Sequence, residues 1–243
     1  GKMVLVEKPF AMSSEEGRRS SALEQSSGLP VYVLEQAPYA LLWDRVAESI
    51  TAGKIGEPVT YEKAKHVFLD AAEDQTPGYG NTDWRIQTRF PIGNLFDGGV
   101  HDLAVHAKLF GQPKRLRARG RNLREGFGDY DLVSIIFEYT GGLIGYFGHS
   151  AYLGGQRNYF TIRGTEGLIH LTNREAVIES KRGQTEEFAT SDPSPHSQMW
   201  SALAVSARNA EQAPYSSFDA LRDVSVLERI ADSLREEKEV DLT

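Results

Sequence analysis

The sequence predicts a short α/β segment followed by a larger α+β domain built on a large, mostly antiparallel open sheet. A strand, a helix and a second strand fill the first 35 residues. Runs rich in β-branched and aromatic residues then alternate with short turns over residues 115–171, and two helical patterns close the chain. At roughly 150 residues per domain, 243 residues correspond to one or two domains.

The α/β segment is predicted from its turn and cap chemistry. Residues 3–6 and 31–34 are short apolar strands, and Ser13 with Glu16 forms a capping box that opens a helix ended by Gly28. Strand, helix and strand in this order predict a parallel pair with a right-handed crossover. We place the domain boundary after residue 37, which gives domains 1–37 and 38–243, with the final helix able to pack back on the first domain.

The larger domain begins with a helix that has Pro38 at its first position and an apolar stripe through Ile50. A strand over residues 59–68 and a polar stretch without periodicity over residues 70–94 follow, and then a helix from about residue 97 to 110. Seven strands come next, at residues 115–123, 132–139, 143–151, 159–163, 168–171, 176–179 and 186–189. Two helices, at residues 196–211 and 218–236, end the chain. The short turns favour antiparallel neighbours, with helices on one face of the sheet.

Composition excludes several classes of protein. The 27 Lys and Arg residues against 34 Asp and Glu residues give a net charge of -7, which offers no broad basic surface for nucleic acid. No apolar run has the roughly 18 residues of a membrane span. The absence of cysteine removes disulfides and thiol chemistry and is compatible with a reducing compartment, so we expect a cytoplasmic protein.

Asp97 and His101 are the first candidate site. Four positions apart on a helix, a carboxylate and an imidazole share one face, where the pair can act as an oriented general acid/base. The same helix repeats the spacing at Asp102 and His106, so spacing alone favours the alternative that Asp97 caps the helix and His101 lies on the surface. Lys8 is the second candidate, because it follows the first strand and precedes Pro9, which permits a cis peptide bond. A solvated lysine before a turn is the alternative.

Two other groups of residues indicate no specific chemistry. Arg115, Arg117, Arg119 and Arg121 alternate along one strand, as in a solvated or interface face of a sheet, and an anion-binding face is the less favoured interpretation. The histidines at positions 66, 149 and 170 lie in separate strands without metal-ligand spacing, and we expect no metal site.

Several motifs together resemble the glucose-fructose oxidoreductase and inositol dehydrogenase family (Gfo/Idh/MocA). Residues 1–11 are similar to its strand and Glu-Lys-Pro motif, and residues 96–102 to its Asp-x-Gly-x-His segment. Further similarities lie at residues 55–59, 84–85, 162–167 and 220–242, so the resemblance covers nearly the whole chain in the right order. It implies that residues 1–37 are the remnant of a Rossmann dinucleotide-binding domain.

The resemblance also implies an activity. Family members transfer a hydride between a carbinol carbon, commonly of a sugar or polyol, and the nicotinamide of NAD or NADP. Lys8 would lie by the reacting hydroxyl, His101 would move its proton, and Asp97 would bind substrate or orient the other two. The cofactor would contact Glu7, Lys8 and Pro9. Tyr79, Trp84 and Arg85 would contact a sugar through stacking and hydrogen bonds, with loop packing as an equal alternative.

The family's Gly-x-Gly-x-x-Gly loop is the departure from this pattern. Only six residues precede Glu7, and neither Gly78-x-Gly80 nor Gly126-x-Gly128 has the third glycine. We therefore expect that this chain alone lacks the cofactor phosphate site. A non-catalytic interaction or sensor domain of the same fold is the alternative function.

Self-association is also expected. Residues 132–137 and 143–147 place apolar side chains on both faces of the sheet, which is unusual for a face that meets water. The resemblance points the same way, because family members commonly oligomerise through this sheet. We expect a homodimer or homotetramer.

Overall fold

A computed structural model describes residues 2–68, 82–90, 92–154, 159–172, 174–190 and 193–242. The first part is the expected unit of strand β1 (Val4–Glu7), helix α1 (Ser14–Ser27) and strand β2 (Val31–Leu34). The two strands pair in parallel and form a sheet of their own. The predicted ends of α1 are confirmed: Ser13 caps it by accepting the N–H of Glu16, and Gly28 ends it in the left-handed conformation.

Among the described residues, the second part contains the remaining helices and nine strands. The helices are α2 (Leu41–Thr51), α3 (Asp83–Ile86), α4 (Asn94–Gly98), α5 (Val100–Phe110), α6 (Pro195–Asn209) and α7 (Ser217–Glu236). The strands are β3 (Pro58–His66), β4 (Pro113–Arg121), β5 (Leu132–Tyr139), β6 (Ile144–Ser150), β7 (Tyr159–Gly164), β8 (Gly167–Leu171), β9 (Glu175–Ser180), β10 (Thr185–Ala189) and β11 (Val240–Asp241). None of the helices in the described ranges is long and apolar enough to cross a membrane.

The strands of the second part form one nine-stranded sheet, in the order β10-β9-β8-β7-β3-β6-β5-β4-β11. All neighbours are antiparallel except β3 and β6, which run parallel with Thr60 opposite Ile144. The sheet is therefore mixed. The parallel pair joins strands that are distant in sequence, whereas the antiparallel pairs that follow one another along the chain are those the short turns predict.

The main core lies between one face of this sheet and helices α2, α5 and α7. Side chains at alternate positions of the central strands are buried there, such as Tyr61, Ile135 and Phe147. A second cluster of buried side chains joins β2 to α6 and α7. The opposite face of the sheet keeps apolar side chains exposed, among them Ile136 and Tyr146.

The final helix packs on both parts of the chain. On the side of the sheet, Ser233 Oγ of α7 accepts the N–H of Ala118 at 2.9 Å. On the side of the first part, Glu228 Oε1 accepts the N–H of Ser14 at 2.9 Å. Helix α7 therefore fixes the βαβ unit against the domain that carries the sheet.

Three expectations about local structure are wrong. The helix expected over residues 97–110 is divided at Gly99, where the N–H of Asp102 bonds back only three residues to Gly99 O at 3.0 Å. The polar stretch over residues 70–94, in which no helix was expected, contains α3, whose four residues are too few to show a helical pattern of apolar side chains. Pro38 lies in a separate 3₁₀ turn (Ala37–Tyr39) rather than opening α2.

Candidate active site

Lys8 lies directly beyond the carboxyl end of β1. Its peptide bond to Pro9 is cis, as the sequence permits. The ammonium group donates to the carboxylate Oδ1 of Asp97 at 2.8 Å and to the main-chain oxygen of the same residue at 2.9 Å. Lys8 is therefore held by a specific partner rather than being a solvated lysine before a turn.

Asp97 lies in α4 and receives a second cation on its other carboxylate oxygen. Both Nε and Nη2 of Arg85 lie 3.1 Å from Oδ2. The aspartate is 5% exposed, so two cations compensate one buried carboxylate. Asp97 is not a helix cap, because the N-cap of α4 is Gly93.

Arg85 and Trp84 lie together in α3. The guanidinium stacks over the Trp84 ring at 3.8 Å from its centroid, and Nη1 donates to Thr82 Oγ1 at 3.2 Å. Arg85 is buried while the indole of Trp84 is 49% exposed. Of the three expected sugar-binding residues, Arg85 contacts Asp97 and Trp84 presents a ring to solvent. Tyr79 lies outside the described residues.

His101 lies on the first turn of α5, close to the carboxyl end of β2. Its Nδ1 is 2.8 Å from both carboxylate oxygens of Glu35, the residue that follows β2. The expected pairing of Asp97 with His101 on one helix is therefore wrong. Asp97 lies in α4 and binds Lys8 and Arg85, and in the described part of the chain Glu35 supplies the carboxylate within hydrogen-bond distance of His101. Lys8 and His101 thus each lie beyond a strand of the same parallel pair, where open α/β sheets bind ligands.

The second pair on α5 has a different environment. Lys65 Nζ donates to Asp102 Oδ2 at 2.9 Å, and Lys63 lies 3.5 Å from Oδ1. Burial acts to raise the pKa of Asp102, but these two ammonium groups hold it well below its usual range. His106 is buried among aromatic rings, and burial lowers its pKa to about 3. This pair therefore belongs to the core.

A comparison with known protein families identifies the family to which this chain belongs. Residues 43–170 match the model of the GFO/IDH/MocA C-terminal domain, which is more than half of the 243-residue chain. The chain belongs to the GFO/IDH/MocA family. The resemblance inferred from the motifs is thereby confirmed.

Individual members of the GFO/IDH/MocA family are similar over most of this chain. Bovine trans-1,2-dihydrobenzene-1,2-diol dehydrogenase is 30% identical over 77% of the chain and 53% of its own length. An oxidoreductase from Thermotoga maritima superposes with a TM-score of 0.87 at 26% identity, over 100% of this chain and 71% of its own. An inositol dehydrogenase homologue from Azotobacter vinelandii, complexed with NADH and myo-inositol, has a TM-score of 0.81 at 18% identity, covering 98% and 71%. The chain spans about half the length of the curated relatives it matches first.

Glu35 is the site residue that sequence reasoning missed. A signal was present, because Glu35 follows β2 just as Lys8 follows β1, and ligand-binding residues are common at the carboxyl ends of parallel strands. Neither the spacing on α5 nor the family motifs include it. Within the described ranges, no group of three or more His, Asp or Glu side chains is placed to hold a metal ion.

Proposed function

We propose that this chain carries the substrate site of an NAD(P)-dependent oxidoreductase that transfers a hydride between nicotinamide and a sugar, a polyol or a related secondary alcohol. The observation that carries the proposal is the placement of Lys8, bound to Asp97, and His101, bound to Glu35, at the carboxyl ends of one parallel strand pair. The bovine relative is named for a diol, and the Azotobacter structure holds a cyclic polyol with NADH. Both compounds carry CH–OH groups.

The ammonium group of Lys8 and the imidazole of His101 have different roles in the proposed reaction. Two N–H groups of Lys8 bind Asp97, and the third is available to the oxygen of a substrate. As the hydride leaves the carbinol carbon, the hydroxyl proton passes to the imidazole of His101 and a carbonyl forms. The positive charge of Lys8 stabilises the alkoxide character that develops on the oxygen during this step.

The nicotinamide would lie beside Glu7, Lys8 and Pro9. These residues fit that group because Glu7 ends β1 and Lys8 and Pro9 follow it at the carboxyl end of a parallel pair, and nicotinamide bound there would supply the hydride acceptor. Asp97 and Arg85 position Lys8, and the exposed ring of Trp84 offers a stacking surface for a sugar.

The βαβ unit is, in this proposal, the final part of a Rossmann domain that ends at residue 37. Support comes from its separate parallel sheet and from the exposed side chains of Val4 and Leu5 on β1. Since the chain has no Gly-x-Gly-x-x-Gly loop, we expect it to bind NAD(P) weakly. Calorimetric titration with NADH and NADPH tests this, and a dissociation constant below about 1 mM would place a cofactor site elsewhere.

The open face of the nine-stranded sheet would join copies into a homodimer or homotetramer. Ile136 and Tyr146 lie opposite each other on this face and are 42% and 45% exposed. Apolar side chains at neighbouring positions of an antiparallel sheet are typical of a covered face.

The test of the function uses a fusion that supplies an N-terminal half with the glycine-rich loop. We expect nicotinamide reduction with at least one member of a panel of sugars, cyclitols and diols. His101→Ala should abolish most turnover while NADH binding persists, and Lys238→Ala, at an exposed position on the distant end of the chain, should retain full turnover. If the fusion binds NADH but turns over no alcohol, the interaction or sensor domain becomes the better assignment.

A further inference from the structure

The contact between Glu35 and His101 determines which nitrogen of the His101 imidazole carries a hydrogen. Both carboxylate oxygens of Glu35 are 2.8 Å from Nδ1 of the imidazole. Glu35 is 0% exposed, whereas the side chain of His101 is 21% exposed. The carboxylate is thus fully enclosed, and the ring extends from it towards the solvent side of the site.

Glu35 is fixed independently of the histidine. Its Oε1 accepts the backbone N–H of Ala37 at 2.8 Å, and the strand that precedes it has Tyr32 and Val33 buried. A carboxylate held by the backbone on one side presents a fixed acceptor to the ring on the other. An ionised carboxylate only accepts hydrogen bonds, so the hydrogen of this contact belongs to Nδ1.

Three titratable groups have a pKa that burial raises and lie close enough to Glu35 for its charge to raise that pKa further. They are Tyr39 in the 3₁₀ turn, Tyr215 just before α7 and Asp223 in α7. Tyr215 donates to Asp223 Oδ2 at 2.7 Å. Burial raises the pKa of Asp223 to about 8, so this neighbour is largely neutral at pH 7 and does not compete with Glu35 for the imidazole.

We propose that Glu35 is the positioning residue of His101: it holds the hydrogen on Nδ1 in both charge states of the ring and leaves Nε2 as the nitrogen that exchanges a proton with a ligand. The tautomer of a histidine is set by the bond that its other nitrogen makes. The catalytic consequence rests on the proposed function, but the tautomer is a property of this chain alone.

The deciding experiment is a pH titration of the chain labelled with ¹⁵N at histidine. Two-bond ¹H–¹⁵N spectra between about pH 5 and pH 9 distinguish a nitrogen that carries hydrogen from one that does not. The His101→Gln variant assigns the resonances of His101 by their loss. We expect Nδ1 to keep its hydrogen throughout and only Nε2 to change. Loss of the hydrogen from Nδ1 at the high end of the range would overturn the proposal.

A substitution of the acceptor gives a second readout. Glu35→Met removes both oxygens, so His101 should move towards the Nε2–H tautomer in the spectrum at high pH. Glu24→Gln is the matched control, since Glu24 accepts the N–H of Val31 at the other end of β2. The control should leave the His101 spectrum unchanged. An unchanged spectrum in Glu35→Met would contradict the proposal, and the titration of the unaltered chain decides it if this variant does not fold.

Steady-state kinetics of the fusion protein test whether Glu35 also contributes to turnover. Glu35→Met should lower kcat by about 10–100-fold with little change in KM, and Glu35→Asp should restore part of the loss. An unchanged kcat would refute a positioning role in turnover. A fusion without any turnover would refute the proposed function alone, because the spectra assess Glu35 without it.

Discussion

Nζ of Lys8 and Oδ1 of Asp97 form a 2.8 Å hydrogen bond between residues that are 89 positions apart in the sequence. The bond joins the end of β1 to α4, and therefore the βαβ unit to the domain that carries the sheet. Arg85 holds the second oxygen of the same carboxylate. The candidate site thus depends on the contact between the two parts of the chain, and changes at that contact affect stability as well as chemistry.

Arg85→Leu should destabilise the chain by about 1–3 kcal/mol, because a buried carboxylate loses one of its two cations while Lys8 remains. Urea unfolding followed by circular dichroism measures the loss. Arg163→Leu is the control, since Arg163 and Glu62 form an exposed ion pair at 3.2 Å, and its cost should be about 0–1 kcal/mol. Equal losses of unfolding free energy in the two variants would show that the buried ion pair of Asp97 stabilises the fold no more than an exposed ion pair does.

His149→Leu should reduce the sensitivity of the fold to acid. Burial lowers the pKa of His149 to about 3, below the value of about 6.5 in an unfolded chain. The unfolded state therefore binds more protons as the pH falls from about 6.5 towards 3, and stability is lost by up to about 1.4 kcal/mol per pH unit for this group. Unfolding free energies at about pH 7 and pH 4.5 should differ less in His149→Leu than in the unaltered chain. His196→Leu, at an exposed position, should keep the original difference.

Asp223→Asn should show the opposite dependence. With the pKa of Asp223 raised to about 8 by burial, the unfolded state loses its proton near pH 4 while the folded state keeps it until about pH 8. The stability that Asp223 contributes is therefore complete below about pH 4 and declines as the pH rises. The Asn variant lacks this decline, so its stability relative to the unaltered chain should increase between pH 4 and pH 8. A constant difference over that range would argue that Asp223 is ionised in the folded state.

The sequence predicts elements well where one local signal decides them. Ser13 and Gly28 fix both ends of α1, and strand β5 has the predicted bounds Leu132–Tyr139. The sequence does not predict features that depend on residues far away along the chain. The parallel pairing of β3 with β6 has no local signal. Glu35 stands at the end of a predicted strand, but it was missed because the partner that gives it its role lies on a helix that begins 65 positions later.

Gly145→Ala should destabilise the fold, because glycine at this position allows the ring of Tyr61 to lie against the backbone of β6. An added methyl group would overlap that buried ring, and such overpacking costs about 1–3 kcal/mol. Gly148→Ala, on the same strand, is the matched control. Its methyl group would meet His66 Nε2 at an ordinary 3.5 Å, so the change should be neutral or slightly stabilising. Thermal unfolding of the two variants, compared at one pH, provides the measurement.

Ile136→Arg should convert the chain to a monomer if the open face of the sheet joins two copies. Ile136 lies opposite Tyr146 on one side and Arg117 on the other, so a new arginine would bring like charges together and leave a cation without a partner in a covered interface. Sedimentation equilibrium at micromolar concentration should give at least twice the monomer mass of 27.0 kDa for the unaltered chain and the monomer mass for this variant. Val205→Arg, on the exposed side of α6, should keep the larger mass. An unaltered chain that sediments at 27.0 kDa would exclude assembly through this face under those conditions.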